Sequence, residues 1–136
     1  MNYLLDTNAC IALMAPTANA VQAQFTRSFQ KGSSFFTSSV VAFELWYGVC
    51  KSARVTENTQ RYDTFFAGPI GIVVFEDSAA KIAGEIRAKL EAAKKPIGAY
   101  DLLLAGQAIY LNMTLITANT KEFSRVKGLN WEDWSR

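Results

Sequence analysis

Tyr3-Leu4-Leu5-Asp6-Thr7-Asn8 decides how the rest of the chain is read. Three apolar residues stop at an acid, and Thr7-Asn8 then supply the polar chemistry with which helices start. The segment reads as a short buried strand feeding a helix over about residues 7–15. In open α/β sheets ligands bind at the carboxyl ends of the strands, which is where Asp6 falls. Asp6 has an equally good second reading as a plain helix cap.

Working outward, the alternation repeats. Val21, Phe25 and Phe29 stand four apart and give one face of a second helix. Gly32-Ser33-Ser34 break it, and Phe35-Phe36-Thr37 form a short strand. Ser38 or Ser39 caps a helix to about residue 53. Val55-Thr56 open another to about residue 66, ended by Gly68-Pro69, and the β-branched stretch 70–75 reads as a strand. Asp77-Ser78 start a long helix with Ala79, Ile82, Ala83, Ile86 and Leu90 on one side, stopped by Lys94-Lys95-Pro96. A helix over about 100–111, a strand over 113–117, a helical turn from Thr120 and an edge strand around Trp131 complete the pattern. Strands alternating with helices through short links predict an α/β fold with a mainly parallel sheet. The 136 residues fit one domain, 1–136, without repeat, low-complexity tract or linker.

Half of the residues are apolar and only 3 are Pro, which predicts a packed core rather than disorder. Apolar runs fall well short of the roughly 20 residues of a membrane-spanning helix. No basic region precedes the first apolar stretch, so no signal peptide and no membrane role are expected, and the chain reads as cytoplasmic. Cys10 and Cys50 lack a paired CxxC spacing and are expected as two buried free thiols. There is no histidine. This excludes Ser-His-Asp and Cys-His nucleophiles, an imidazole base and the usual zinc site. What remains is chemistry by carboxylates, hydroxyls, lysines or a hard cation bound through oxygen. The net charge of +2 neither demands nor excludes an anionic partner.

Two further acids stand in unusual company. From Val40 to Cys50 every side of the helix is apolar except at Glu44. A helix apolar all round is expected to be buried, which would place Glu44 among Val40, Val41, Tyr47 and Gly48. A buried carboxylate must be paired with a base or bind a metal, and the helix leaves both open. Asp101 has Ile97, Gly98, Leu104 and Ala105 at helical spacing, although an acid near a helix start is also an ordinary cap. Asn119 follows the 113–117 strand and should reach the same sheet edge, unless it is simply a turn residue. Converging carboxylates repel strongly, and these segments offer few bases, so a divalent cation is the economical counter-charge. Magnesium suits such an all-oxygen site, and the matching reaction is metal-assisted hydrolysis of a phosphodiester.

These stretches together resemble the PIN-domain nucleases, specifically the VapC type of toxin, over nearly the whole chain. The resemblance is carried by Leu4-Leu5-Asp6-Thr7-Asn8, by 39–45 around Glu44, by 97–105 around Asp101, by 115–123 around Asn119, and by Val126-Lys127-Gly128-Leu129 with Trp134. It implies a mainly parallel central sheet flanked by helices in three layers, and an endoribonuclease dependent on magnesium or manganese. The family's acids map onto Asp6, Glu44 and Asp101, its polar group near the first acid onto Asn8, and a pocket residue onto Thr117. A fourth position, often Asp, falls on Asn119, which lowers the charge for a second metal. Glu122 is a possible replacement acid, although its place in a helical turn favours plain solvation. The resemblance also implies a cognate antitoxin and a homodimer. Phe43, Trp46 and Cys50, opposite Val41 and Leu45, are consistent with a partner face, or else neighbouring helices cover them.

Lys94, Lys95, Lys121, Arg125 and Lys127 are candidates for holding RNA phosphates, most of them expected to be ordinary surface charges. Two rival readings differ in class. An Asp6-nucleophile phosphatase would want a second Asp where Asn8 stands. A non-catalytic PIN-like binding module would be expected to lose its acids, and here three are intact.

Overall fold

The Tyr3-Leu4-Leu5 run becomes the middle strand of the sheet in a computed structural model that describes residues 1–136. The elements follow as β1 (Asn2–Leu5), α1 (Thr7–Met14), α2 (Ala20–Gln30), β2 (Ser34–Ser38), α3 (Ser39–Lys51), α4 (Val55–Phe66), β3 (Ile70–Val73), α5 (Asp77–Ala92), α6 (Ala99–Leu111), β4 (Thr114–Ile116), α7 (Thr120–Phe123) and β5 (Trp131–Glu132). The sheet order is β3-β2-β1-β4-β5, and every pairing is parallel. The mainly parallel α/β expectation is met, with helices flanking the sheet. Tyr3, Leu4 and Leu5 are all buried, as a central parallel strand covered on both faces requires. One continuous core runs from this strand through Phe35, Leu104, Leu115, Ile116 and Phe123. No helix is long and apolar enough to cross a membrane.

Several local expectations shift for physical reasons. The strand expected over 70–75 stops at Val73. Its continuation leaves the ladder because the Gln107 amide donates to the Val73 and Val74 carbonyls, and the Phe75 N–H donates to Ser39 Oγ. Cys10 is buried, but Cys50 is exposed and so is not a core thiol.

The larger correction concerns α3. Its apolar circumference predicted burial on all sides, yet only Val41, Leu45 and Val49 are buried. Phe43 is 57% exposed and Tyr47 is 61% exposed. Trp46 is partly covered, packing on Tyr62 of α4 with ring centroids 4.0 Å apart. On the opposite flank α5 and α6 meet almost backbone to backbone. A Cβ added at Gly106 would lie 2.7 Å from the Ala79 carbonyl oxygen, so the absent side chain is what allows that approach.

Candidate active site

Because every strand runs the same way, residues that follow β1, β2 and β4 emerge on one edge. Asp6 leaves β1 with its backbone pinned, its N–H donating to the Ile116 carbonyl at 3.1 Å. Its Oδ1 accepts from the Ala9 N–H at 2.8 Å, which caps α1. Asp6 is thus a cap, and it also faces the other acids. It is only 7% exposed. Burial raises its pKa, the Ala9 N–H and the nearby Thr117 hydroxyl offset part of that rise, and the Glu44 charge adds to it.

Glu44 was expected deep among apolar side chains. It is half-buried instead, and its Oε1 accepts from the Thr7 hydroxyl at 2.8 Å. Thr7 reads in the sequence only as helix-start chemistry, so this contact is an addition to the expected site. Asn8 is exposed and makes no side-chain hydrogen bond; only its backbone N–H acts on Asp6. Position matters here, because the first two residues of a helix after its cap point about 100° apart.

Asp101 sits in the first turn of α6 without capping it. Its Oδ2 accepts from Asn119 Nδ2 at 2.8 Å, and the same amide nitrogen donates to Glu122 Oε2 at 2.6 Å. Glu122 Oε1 accepts from the Gly98 N–H at 2.8 Å. The solvated Glu122 favoured from sequence is therefore corrected: this acid joins the cluster. The Gly98 N–H was also missed, and no side-chain signal marks it. Burial, followed by the Glu122 charge, raises Asp101 to about 6. Glu122 moves the other way, lowered first by the Asn119 amide and then by the Gly98 N–H. Thr117 is buried, and its hydroxyl accepts from the Asn119 N–H at 3.0 Å.

The donor set fits a hard divalent ion. All the groups are oxygens, and no cation is among the influences that shift Asp6 or Asp101. Arg125 acts on Glu122 as the smallest of its influences. No three acid or thiol side chains gather tightly enough to form a ready cage. That arrangement suits an ion which keeps several waters and takes only one or two carboxylates directly, rather than a soft, dehydrated metal.

Two depressions flank the acids. Thr7 and Glu44 line an apolar groove of about 410 Å³ between α1, α3 and α4, with Ile11, Leu45, Val49 and Tyr62. On the other flank a cleft holds Lys95, Arg125 and Lys127; Lys94 and Lys121 lie outside it, exposed.

Residues 3–129 match the family model of the PIN domain. The tRNA(fMet)-specific endonuclease VapC of Shigella flexneri is 35% identical over 135 residues, covering 99% of each chain. Ribonuclease VapC2 of Rickettsia felis is 35% identical over 136 residues, covering 100% of each. The solved structure of VapBC2 from Rickettsia felis, bound to a DNA fragment from its promoter, superposes with a TM-score of 0.90 at 35% identity. It covers 98% of this chain and 99% of that one.

Proposed function

This chain belongs to the PIN-domain family, and on that premise we propose that it is a divalent-metal-dependent endoribonuclease, the toxin of a toxin–antitoxin pair. One PIN domain makes up residues 1–136, acting in the cytoplasm. The carrying observation is the set of Asp6, Glu44 and Asp101 at one sheet edge, with Asp6 feeling the charge of Glu44 and Asp101 that of Asp6, and none of the three in an ion pair. The full-length likeness to two VapC ribonucleases supports the reaction class.

Asp6, Glu44 and Asp101 would hold magnesium or manganese, directly or through water. When bound, such an ion supplies Lewis acidity, making a water easier to deprotonate and offsetting charge that develops on the scissile phosphate. The chain supplies the positioning. The Ala9 N–H fixes Asp6 Oδ1 and the Thr7 hydroxyl fixes Glu44 Oε1. Asn119 places one amide nitrogen between Asp101 and Glu122, so two like charges share a donor instead of facing each other bare. Burial and then the Glu122 charge raise Asp101 to about 6, and a bound cation would favour its ionised form.

A cognate antitoxin and a second copy of the chain are the proposed partners. The exposed Phe43 and Tyr47, together with the apolar groove beside Glu44, supply the surface they would cover. The test is incubation of partner-free protein with total RNA, in magnesium or EDTA, beside Asp6→Ala. Discrete fragments that need both metal and Asp6 are expected. Intact RNA in every lane would turn the reading to a non-catalytic binding module.

A further inference from the structure

We infer that the basic cleft between α5 and α7 anchors the RNA backbone, holding phosphates that flank the scissile bond on the side away from the apolar groove. The inference rests on the ribonuclease reading and deepens it. The cleft has a volume of about 620 Å³. Lys89 of α5, Lys95 of the link after it, and Ser124, Arg125 and Lys127 following α7 line it, and no acidic side chain does. None of these four cations is spent in an ion pair. The molecule's ion pairs are Arg54–Glu57, Arg87–Glu91 and Arg136–Asp133, and none of those residues lines the cleft.

Arg125 ties the cleft to the acids. It is half-buried, and its Nη1 donates to the Pro96 carbonyl at 2.9 Å, which holds the guanidinium between the 94–98 link and α7. Its backbone N–H donates to the Glu122 carbonyl at 3.1 Å, and the Glu122 side chain accepts from the Gly98 N–H and, through Asn119, reaches Asp101. A set of contacts thus runs from the cleft to the proposed metal-holding carboxylates. An RNA strand approaching that edge meets acids that repel it, so flanking phosphates must be held by cations close by. The apolar groove on the other flank carries one cation, Arg61, among apolar and uncharged neighbours and a carboxylate, Glu44. The two flanks therefore divide the work, with RNA entering over α5 and α7. Lys94 and Lys121 fall outside the cleft and contribute less.

The test measures RNA binding apart from cleavage. Full-length, partner-free protein in EDTA is titrated with a fluorescein-labelled, mixed-sequence single-stranded RNA over a range of salt. The Lys89→Gln/Lys127→Gln double variant is compared with Arg27→Gln/Lys31→Gln, which loses the same charge on α2 at the opposite edge. Thermal melts check that both fold. We expect the cleft variant to bind about tenfold more weakly near 0.1 M salt, with the slope of log K against log salt smaller by about 1.5. The α2 variant should bind like wild type. Equal binding by wild type and cleft variant, or equal loss in both variants, overturns the anchor even if wild type cleaves RNA in magnesium. Conversely, binding that depends on the cleft without any cleavage in magnesium leaves the anchor standing and overturns the ribonuclease reading. Wild type that neither binds nor cleaves overturns both.

Discussion

The two flanks of the acidic centre are built differently. Asp6 and Glu44 are each steadied by a donor from the start of α1, the Ala9 N–H and the Thr7 hydroxyl. Asp101 and Glu122 are knitted together by Asn119 and Gly98, donors that lie far apart in sequence. On the first flank Asp6 takes its geometry from a helix cap that forms locally, and Glu44 is tied to the same helix start by one contact from α3. The second takes it from tertiary contact among α6, α7 and the 94–98 link, and there like charges are managed by a shared amide. The first flank is therefore expected to be rigid whatever occupies the centre, and the second to respond to protons and cations.

Asp6 offers the hardest test of that division. Asp6→Ala removes both an acid and a cap, so cleavage should fall about a thousandfold or more, equivalent to several kcal/mol of lost charge stabilisation. The lost cap should cost about 1 kcal/mol in a denaturant melt. Asp6→Asn keeps a capping oxygen and should lose cleavage to the same degree with little loss of stability. Equal destabilisation by both variants would show that the cap is not what steadies this flank.

Asp101→Asn should also abolish most cleavage, by about a hundredfold or more, but with the opposite effect on the metal-free fold. Burial and the Glu122 charge both oppose an ionised Asp101, so the neutral amide should raise the melting temperature in EDTA. A lowered melting temperature would show that the Asn119 contact outweighs the repulsion.

Acidity gives a subtler readout. Asp101 titrates near 6 in the fold and near its ordinary lower value when unfolded, so the native state takes up its proton first. This group's contribution to metal-free stability therefore grows as pH falls from about 7 towards 4. Glu122 is lowered, so its contribution has the opposite sign: it is present above the ordinary glutamate range and lost as pH falls below it. Protonation of Asp101 competes with a cation, so the stabilisation given by added magnesium should shrink between pH 7 and pH 5. Melts in EDTA and in magnesium across that range check the sign, and Asp101→Asn should flatten the difference.

Thr7→Val should have the smallest effect. It leaves Glu44 without its hydroxyl donor, which predicts about 1 kcal/mol or less in stability and a several-fold loss of cleavage. A loss as large as that of Asp6→Ala would mean that Thr7 does more than orient Glu44.

The order of elements was readable because periodicity changes cleanly from buried strand to amphipathic helix and back, as at Leu5-Asp6 and across Asp77 to Leu90. The candidate acids could be picked out because charge stands out against apolar neighbours. The failures share a cause. The apolar surround of α3 was read as burial, whereas Phe43 and Tyr47 face outward, since composition alone does not separate a core face from a face awaiting a partner. Glu122 was read as solvated because nothing near it in sequence announces Gly98, 24 positions earlier. The contact of Thr7 with Glu44 could not be read because it joins residues 37 positions apart.

β1 stands at the middle of the sheet between β2 and β4, yet β4 follows β2 and β3 in the chain. Asp6 therefore waits beside a gap until β4 closes it and brings Asn119 and Glu122 to the far wall. A chain cut before β4 would keep Asp6 and Glu44 but have nothing to set opposite them, so the acidic cluster is assembled by the pairing of β1 with β4 and not by either segment alone.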